Sequence, residues 1–172
     1  MKKNAKMALL FVPMLAFIAC DKNKDRVVDG YKPIYQDKEE LQKIETSSTR
    51  ELNNPGKIYR YENLLLVNEK GEGIHIYDNV NPSSPTELSF VKIPGNMDFS
   101  VRNDRIYADN MFDMVVIDIT NPSSPSYSTR ISDVFPAQNF PDEFGAFECV
   151  DPSKGVVVGW EKAQLTNPKC HK

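Results

Sequence analysis

Gly73-Ile74-His75-Ile76-Tyr77-Asp78-Asn79-Val80-Asn81-Pro82-Ser83-Ser84-Pro85 returns 40 residues later as Asp113-Met114-Val115-Val116-Ile117-Asp118-Ile119-Thr120-Asn121-Pro122-Ser123-Ser124-Pro125. The closing five residues are identical, Asp78 meets Asp118, and the apolar run 74–77 meets 114–117. At the same offset Asn63 meets Asn103. Self-similarity at this period marks one supersecondary unit used twice. About 40 residues suits one four-stranded blade of a β-propeller.

Outward from that match, short β-branched and aromatic runs alternate with turn residues, the pattern of strands. The first unit is expected to hold strands at Lys57–Tyr61, Leu64–Asn68, Gly73–Asp78 and Glu87–Ile93. The second is expected to hold them at Met97–Val101, Arg105–Asp109, Met114–Ile119 and Tyr127–Ser132. Asn63 and the Asn103-Asp104 pair fall where tight hairpins need residues that tolerate positive φ. The Asn-Pro-Ser-Ser-Pro segments cannot be central strands, because two prolines remove ladder donors, so they connect to an outer strand. Asp78 and Asp118, with Asn81, Pro82, Asn121 and Pro122, are therefore read as structural residues of a repeated turn, the two carboxylates accepting backbone N–H bonds.

Past the second unit the pattern weakens. Ala137 to Gly145 reads as a long loop. Phe147–Val150 and Val156–Glu161 read as a hairpin turning through Asp151-Pro152-Ser153-Lys154-Gly155. The fold expected is all-β: a partial β-propeller of two four-stranded blades plus a C-terminal hairpin, preceded by a signal peptide and a tether. Residues 1–19 are the signal peptide, 20–54 the tether with a short helix, 55–94 the first blade, 95–135 the second, and 136–172 the loop, the partial third blade and the tail.

The leader is read from Lys2, Lys3 and Lys6, the 12-residue apolar run Met7 to Ile18, and Ala19. A spanning helix needs about 20 apolar residues, and Pro13 interrupts this run, so a removable signal peptide fits better than an anchor. Phe17-Ile18-Ala19-Cys20 resembles a lipobox, which implies diacylglycerol on the Cys20 sulfur, with Phe17 where leucine is usual. At about 0.8 kcal/mol per buried methylene, such an anchor is effectively permanent. Asp21 to Arg50 is polar, and Asp37 stands ahead of Glu40, Leu41 and Ile44 in the manner of a capped helix.

Loss of residues 1–19 removes three of the 21 basic side chains and no acid, leaving 18 against 24 acids. That balance argues against nucleic acid as a partner. With Cys20 lipidated, Cys149 and Cys170 remain. A disulfide between them, or a buried free Cys149 beside an unrelated tail thiol, both agree with the sequence.

These residues resemble the LVIVD repeat family, whose signature is a Gly-led apolar strand closing in Asp and followed by an Asn-Pro turn. Here that is Gly73 to Asp78 with Asn81-Pro82, and Met114 to Asp118 with Asn121-Pro122, where Asp113 replaces the leading glycine. Residues 56–135 also resemble bacterial lipoproteins that carry such repeats behind a lipobox. The resemblance implies a β-propeller on an exported, membrane-anchored protein and brings no catalytic residues. Propellers close with four to eight blades, so two blades and a fraction imply either assembly with other copies or a shortened relative.

No catalytic motif, metal site or cofactor motif is expected. His75 reads as a surface or blade-packing side chain. Asp104, Asp109, Asn110 and Asp113 gather around one hairpin as calcium candidates, although their spacing fits no standard loop. Trp160, Tyr77, Phe112 and Phe135 read as packing residues, and Trp160 is the one to test for ligand contact. The leading expectation is a non-enzymatic binding or interaction module, lipid-anchored in the cell envelope and facing the periplasm. Its partner would be a protein, a glycan or a second copy. The alternatives are a calcium-dependent or hydrolytic envelope enzyme, and a truncated remnant of a longer propeller lipoprotein.

Overall fold

The computed structural model describes residues 25–172. The leader over 1–19 and Cys20 lie outside the described residues. The chain enters as β1 (Val27–Gln36), one turn of helix α1 (Lys38–Leu41) and a short β2 (Glu45–Ser47). Asp37 caps α1, its carboxylate accepting the N–H of Glu39 and Glu40.

The first repeat is an antiparallel meander of β3 (Pro55–Tyr61), β4 (Leu64–Glu69), β5 (Gly73–Asp78) and β6 (Thr86–Lys92). β2 pairs with the outer edge of β6, making this sheet five-stranded in the order β2-β6-β5-β4-β3. The second repeat is β7 (Phe99–Arg102), β8 (Arg105–Asn110), β9 (Asp113–Asp118) and β10 (Ser126–Ile131), in the order β10-β9-β8-β7. Period-two alternation and the turn residues place all eight strands within a few residues of their expected bounds.

One expected correspondence shifts. The β3–β4 hairpin turns at Glu62-Asn63 and the β7–β8 hairpin at Asn103-Asp104, so Asn63 is equivalent to Asp104 and the offset there is 41. The reason is one extra residue between β4 and β5 (70–72) compared with β8 and β9 (111–112). Positive φ falls on Glu62, Asn103 and Asp104.

The third sheet departs from expectation. Val27–Gln36, read as part of a tether, pairs antiparallel with β12 (Val156–Thr166) along its whole length. It also pairs in parallel with β11 (Ala146–Phe147), which pairs in turn with β13 (Cys170–His171). The order β12-β1-β11-β13 corrects the expected C-terminal hairpin, because β1 separates its two arms. Gly30 makes this possible, since a Cβ there would collide with the Ala146 carbonyl oxygen and the Leu165 side chain. β11 meets β1 only at Gly30 and Tyr31, so Pro33 lies where β1 has an open side and its missing N–H costs no ladder bond.

Cys149 and Cys170 are joined in a disulfide with Cα atoms 5.3 Å apart, tying the segment after β11 to the edge strand β13. Among the described residues no helix is long and apolar enough to cross a membrane.

Candidate functional site

Side chains alternate between the two faces of each strand, so register assigns each residue to a face. In the first repeat Leu66, Ile74, Ile76 and Val91 share one face, here face A. Val67, His75 and Phe90 share the other, face B. In the second repeat the residues equivalent to face A are Tyr107, Met114, Val116 and Ile131, and those equivalent to face B are Ala108, Val115 and Arg130.

The core joins unlike faces. Leu66, Ile74, Ile76, Val91 and Ile93 of the first repeat's face A form one buried cluster with Phe99, Ile106, Ala108, Val115 and Ile117 of the second repeat's face B. Each of these side chains except Ala108 contributes about 1.5–3 kcal/mol on burial. The packing is head-to-tail, so each repeat keeps one outward face: face B of the first and face A of the second.

Face B of the first repeat is closed by charge. His75 is fully buried, with Nε2 2.9 Å from Glu69 Oε2 and Nδ1 2.6 Å from Glu87 Oε1. Each ring nitrogen thus faces a carboxylate oxygen. The segment after β2 lies over this cluster. Asn53 N–H donates to Glu69 Oε1, Arg50 N–H donates to Glu87, and the Arg50 guanidinium lies 4.8 Å from the Phe90 ring centre and 3.6 Å from Glu69. Burial alone would raise the Glu69 carboxyl, but the His75 and Asn53 hydrogen bonds and the Arg50 charge outweigh it and hold that carboxyl below its ordinary value. Burial and the neighbouring Glu87 and Glu69 push the Tyr77 hydroxyl up.

His75 is thus packed inside the repeat, as one of the two expected roles had it. The ionic cluster around it was not foreseen, because Glu69, Glu87 and Arg50 are far apart in sequence and look like solvated charges.

The equivalent place in the second repeat holds Arg130. It donates to Asn110 Oδ1 at 2.5 Å, Asp113 Oδ2 at 2.8 Å and the Gln42 carbonyl at 2.9 Å. Burial would raise the Asp113 carboxyl, but the Asp133 N–H, Arg130 and Gln42 bring it below its ordinary value. The stretch from α1 through Arg50 therefore fastens to both repeats by charged side chains.

The calcium candidates do not converge. Asp109 Oδ1 takes hydrogen bonds from Asn96 Nδ2 and from the N–H of Met97 and Asp98, Asp113 is held by Arg130, and Asn110 donates to the Leu41 and Pro94 carbonyls. Among the described residues no group of three or more histidine, cysteine or acidic side chains is placed to hold a metal ion.

The repeated turns share the same backbone hydrogen bonds to Asp and Asn. Asp78 accepts the Val80 N–H and Asp118 the Thr120 N–H, each at 2.9 Å. Asn81 and Asn121 accept the N–H of Ser83 and Ser123, each at 3.3 Å. Pro122 has a second role, since its carbonyl accepts the Ser89 hydroxyl of β6 at 2.7 Å. Trp160 packs edge-on against Phe147, with ring centres 5.4 Å apart.

The LVIVD repeat family model matches residues 97–133, which run from just before β7 to just after β10. The second unit is thus similar to an LVIVD repeat. Neither the curated proteins nor the solved structures give a match. Within this LVIVD repeat, Asp113 stands where the first unit has Gly73, and its carboxylate is taken up by Arg130, Gln42 and the Asp133 N–H.

The outward face of the LVIVD repeat is the candidate site. Met114, Tyr107 and Ile131 are partly or half exposed, whereas their equivalents Ile74, Leu66 and Val91 are fully buried. A groove of about 240 Å³ on this side is lined by Phe99, Ser100, Tyr107, Asp109, Met114 and Phe135, with Lys57 and Asp98 paired at 2.9 Å along it.

Proposed function

We propose that this chain is a non-enzymatic interaction module of the bacterial cell envelope, held on a membrane by lipid on Cys20 and facing the periplasm. Its repeats act as blades of a propeller-type stack and recognise a protein or glycan partner. The observation that carries this reading is the outward face of the LVIVD repeat, where Ile131 remains 51% exposed while its equivalent Val91 is fully covered. An exposed Ile131 beside the partly exposed Tyr107 and Met114 supports reading this face as an interaction surface. The head-to-tail packing of the two repeats supports the blade reading, since radial stacking joins unlike faces of successive units. The lipobox-like Phe17-Ile18-Ala19-Cys20 supports the anchor.

The test uses the full chain in its bacterial host with a photo-reactive residue in place of Ile131. A discrete cross-linked product is expected in the membrane fraction, with labelled fatty acid incorporated into the chain and lost in Cys20→Ala. A chain that takes up no fatty acid and gives no cross-linked product would overturn the reading.

A further inference from the structure

The end of the third sheet at which β1 begins carries an aromatic corner. β11 runs parallel to β1, with Ala146 beside Gly30 and Phe147 beside Tyr31, so the residues just before β11 lie toward Val27. Phe144 and Gly145 share a recess there with Asp29 and Gly30. Among the described residues Phe144 is the most exposed large apolar side chain, at 84%, and Phe140 is 44% exposed. Both rings stand around one ammonium. Lys172 Nζ lies 4.8 Å from the Phe140 ring centre and 5.5 Å from that of Phe144, and it donates to the carbonyls of Pro141 and Asp142. The backbones of Lys172 and Gly145 exchange two hydrogen bonds, which fix the lysine at this end of the sheet.

The covalent path of the chain names the surface this corner meets. Val27 is seven residues past Cys20, and an extended chain spans at most about 3.6 Å per residue, so lipid on Cys20 keeps this end within about 25 Å of the bilayer. At its other end β1 runs through Asp37 into α1, whose Leu41 carbonyl accepts from Asn110 of the LVIVD repeat. The corner is therefore on the anchored side of the fold. A tether this short holds it at about millimolar effective concentration, so a weak affinity for lipid is enough. Aromatic rings beside a lysine, whose long stem can keep its charge at the water boundary, are the side chains that enter a membrane interface. The exposed Asp142 and Glu143 offset Lys172, so the corner suits zwitterionic headgroups rather than anionic ones.

We infer that Phe140 and Phe144 enter the headgroup boundary of the membrane that holds Cys20, so that the third sheet stands end-on against the bilayer. The inference rests on the lipid-anchor reading and adds a second, non-covalent contact to it. That contact sets the stance of the sheet on the membrane, where a tether alone would let it swing.

The test uses the full chain purified from its host's membranes and reconstituted into phosphatidylcholine vesicles with or without bromine on the acyl chains, which quenches tryptophan on contact. Phe144→Trp adds an indole to the single native Trp160, which packs against Phe147. The added emission is expected to lose most of its intensity in the brominated vesicles. Emission from the unsubstituted protein, and from Ile58→Trp at an exposed position of the first repeat, is expected to be the same in both. Phe140→Trp is expected to be quenched as well, and to escape quenching once Phe144→Asp is added. Equal emission from Phe144→Trp in the two kinds of vesicle overturns the inference, while fatty acid on Cys20 leaves the anchor standing. Quenching of Ile58→Trp to the same degree, or quenching of Phe140→Trp that survives Phe144→Asp, overturns it too. A chain that carries no fatty acid removes the anchor and this inference together.

Discussion

His75 Nε2 lies 2.9 Å from Glu69 Oε2 inside the first repeat, and neither side chain reaches solvent. The equivalent positions in the LVIVD repeat are Val115 and Asn110, so one backbone supports two chemistries at one place. In the first repeat the pair lies under an outward face, whereas in the LVIVD repeat Val115 joins the core and Asn110 pairs with Arg130.

Removing the imidazole strands two carboxylates in a dry site. His75→Val is expected to lower unfolding stability by about 3 kcal/mol or more, since two carboxyls each lose a hydrogen-bond partner there. Glu69→Asn and Glu87→Tyr supply the other residues of the second repeat at these positions. Combined with His75→Val they are expected to recover most of the loss. Urea unfolding of the single and triple variants measures both, and a triple variant no more stable than the single one refutes the equivalence.

Acid acts on the same cluster. The Glu69 carboxyl is held below its ordinary value of 4.5, so the folded state binds its proton less readily than the unfolded chain. The stability it contributes is fully present above about pH 4.5 and is lost as pH falls through the lower folded-state value. The urea midpoint is therefore expected to hold steady from pH 7 to 5 and to fall below that. In Glu69→Gln the fall is expected to be shallower, and parallel curves for the two proteins would contradict the assignment.

Gly73 has φ +150°, and a Cβ there would collide with the Val91 carbonyl oxygen. Gly73→Ala forces β5 away from β6 and is expected to cost at least 3 kcal/mol, beyond the roughly 1–3 kcal/mol of backbone strain alone. Gly71, at φ +81°, has open space around it, so Gly71→Ala is expected to cost only about 1 kcal/mol. Thermal unfolding ranks the two, and equal losses would refute the steric account.

The Cys149–Cys170 disulfide spans 21 residues and holds β13 at the edge of the third sheet. Cys149→Ser is expected to lose about 3 kcal/mol on the chain-entropy estimate. Limited proteolysis should then release a C-terminal fragment that the intact protein retains. A tail equally resistant in both proteins would show that β13 needs no covalent tie.

The two repeats were legible because alternation and turn chemistry are local. Asn103-Asp104 and the two Asn-Pro-Ser-Ser-Pro turns announce themselves within a few residues. The third sheet was not legible, since Gly30 and Pro33 interrupt the alternation of β1 and its partners begin at Ala146. The hairpin expected from Phe147 and Val156 failed for the same reason, because nothing near those residues signals an intervening strand from the other end of the chain. At the candidate site, Tyr107, Met114 and Ile131 read locally as ordinary strand residues. Only comparison with their buried equivalents distinguishes them.

The pairing of β1 with β11 and β12 also sets an order of assembly. The first described strand has all its partners after residue 145, so loop-closure entropy delays its pairing until those residues have been synthesised. The repeats, built from neighbours in sequence, can close long before. Throughout that interval a ten-residue strand with two bare edges waits beside them, and a ribosome that stalls before Val156 leaves it without its long antiparallel partner. The interval in which this chain is most exposed to misassembly is therefore set by the time taken to synthesise residues 132–166.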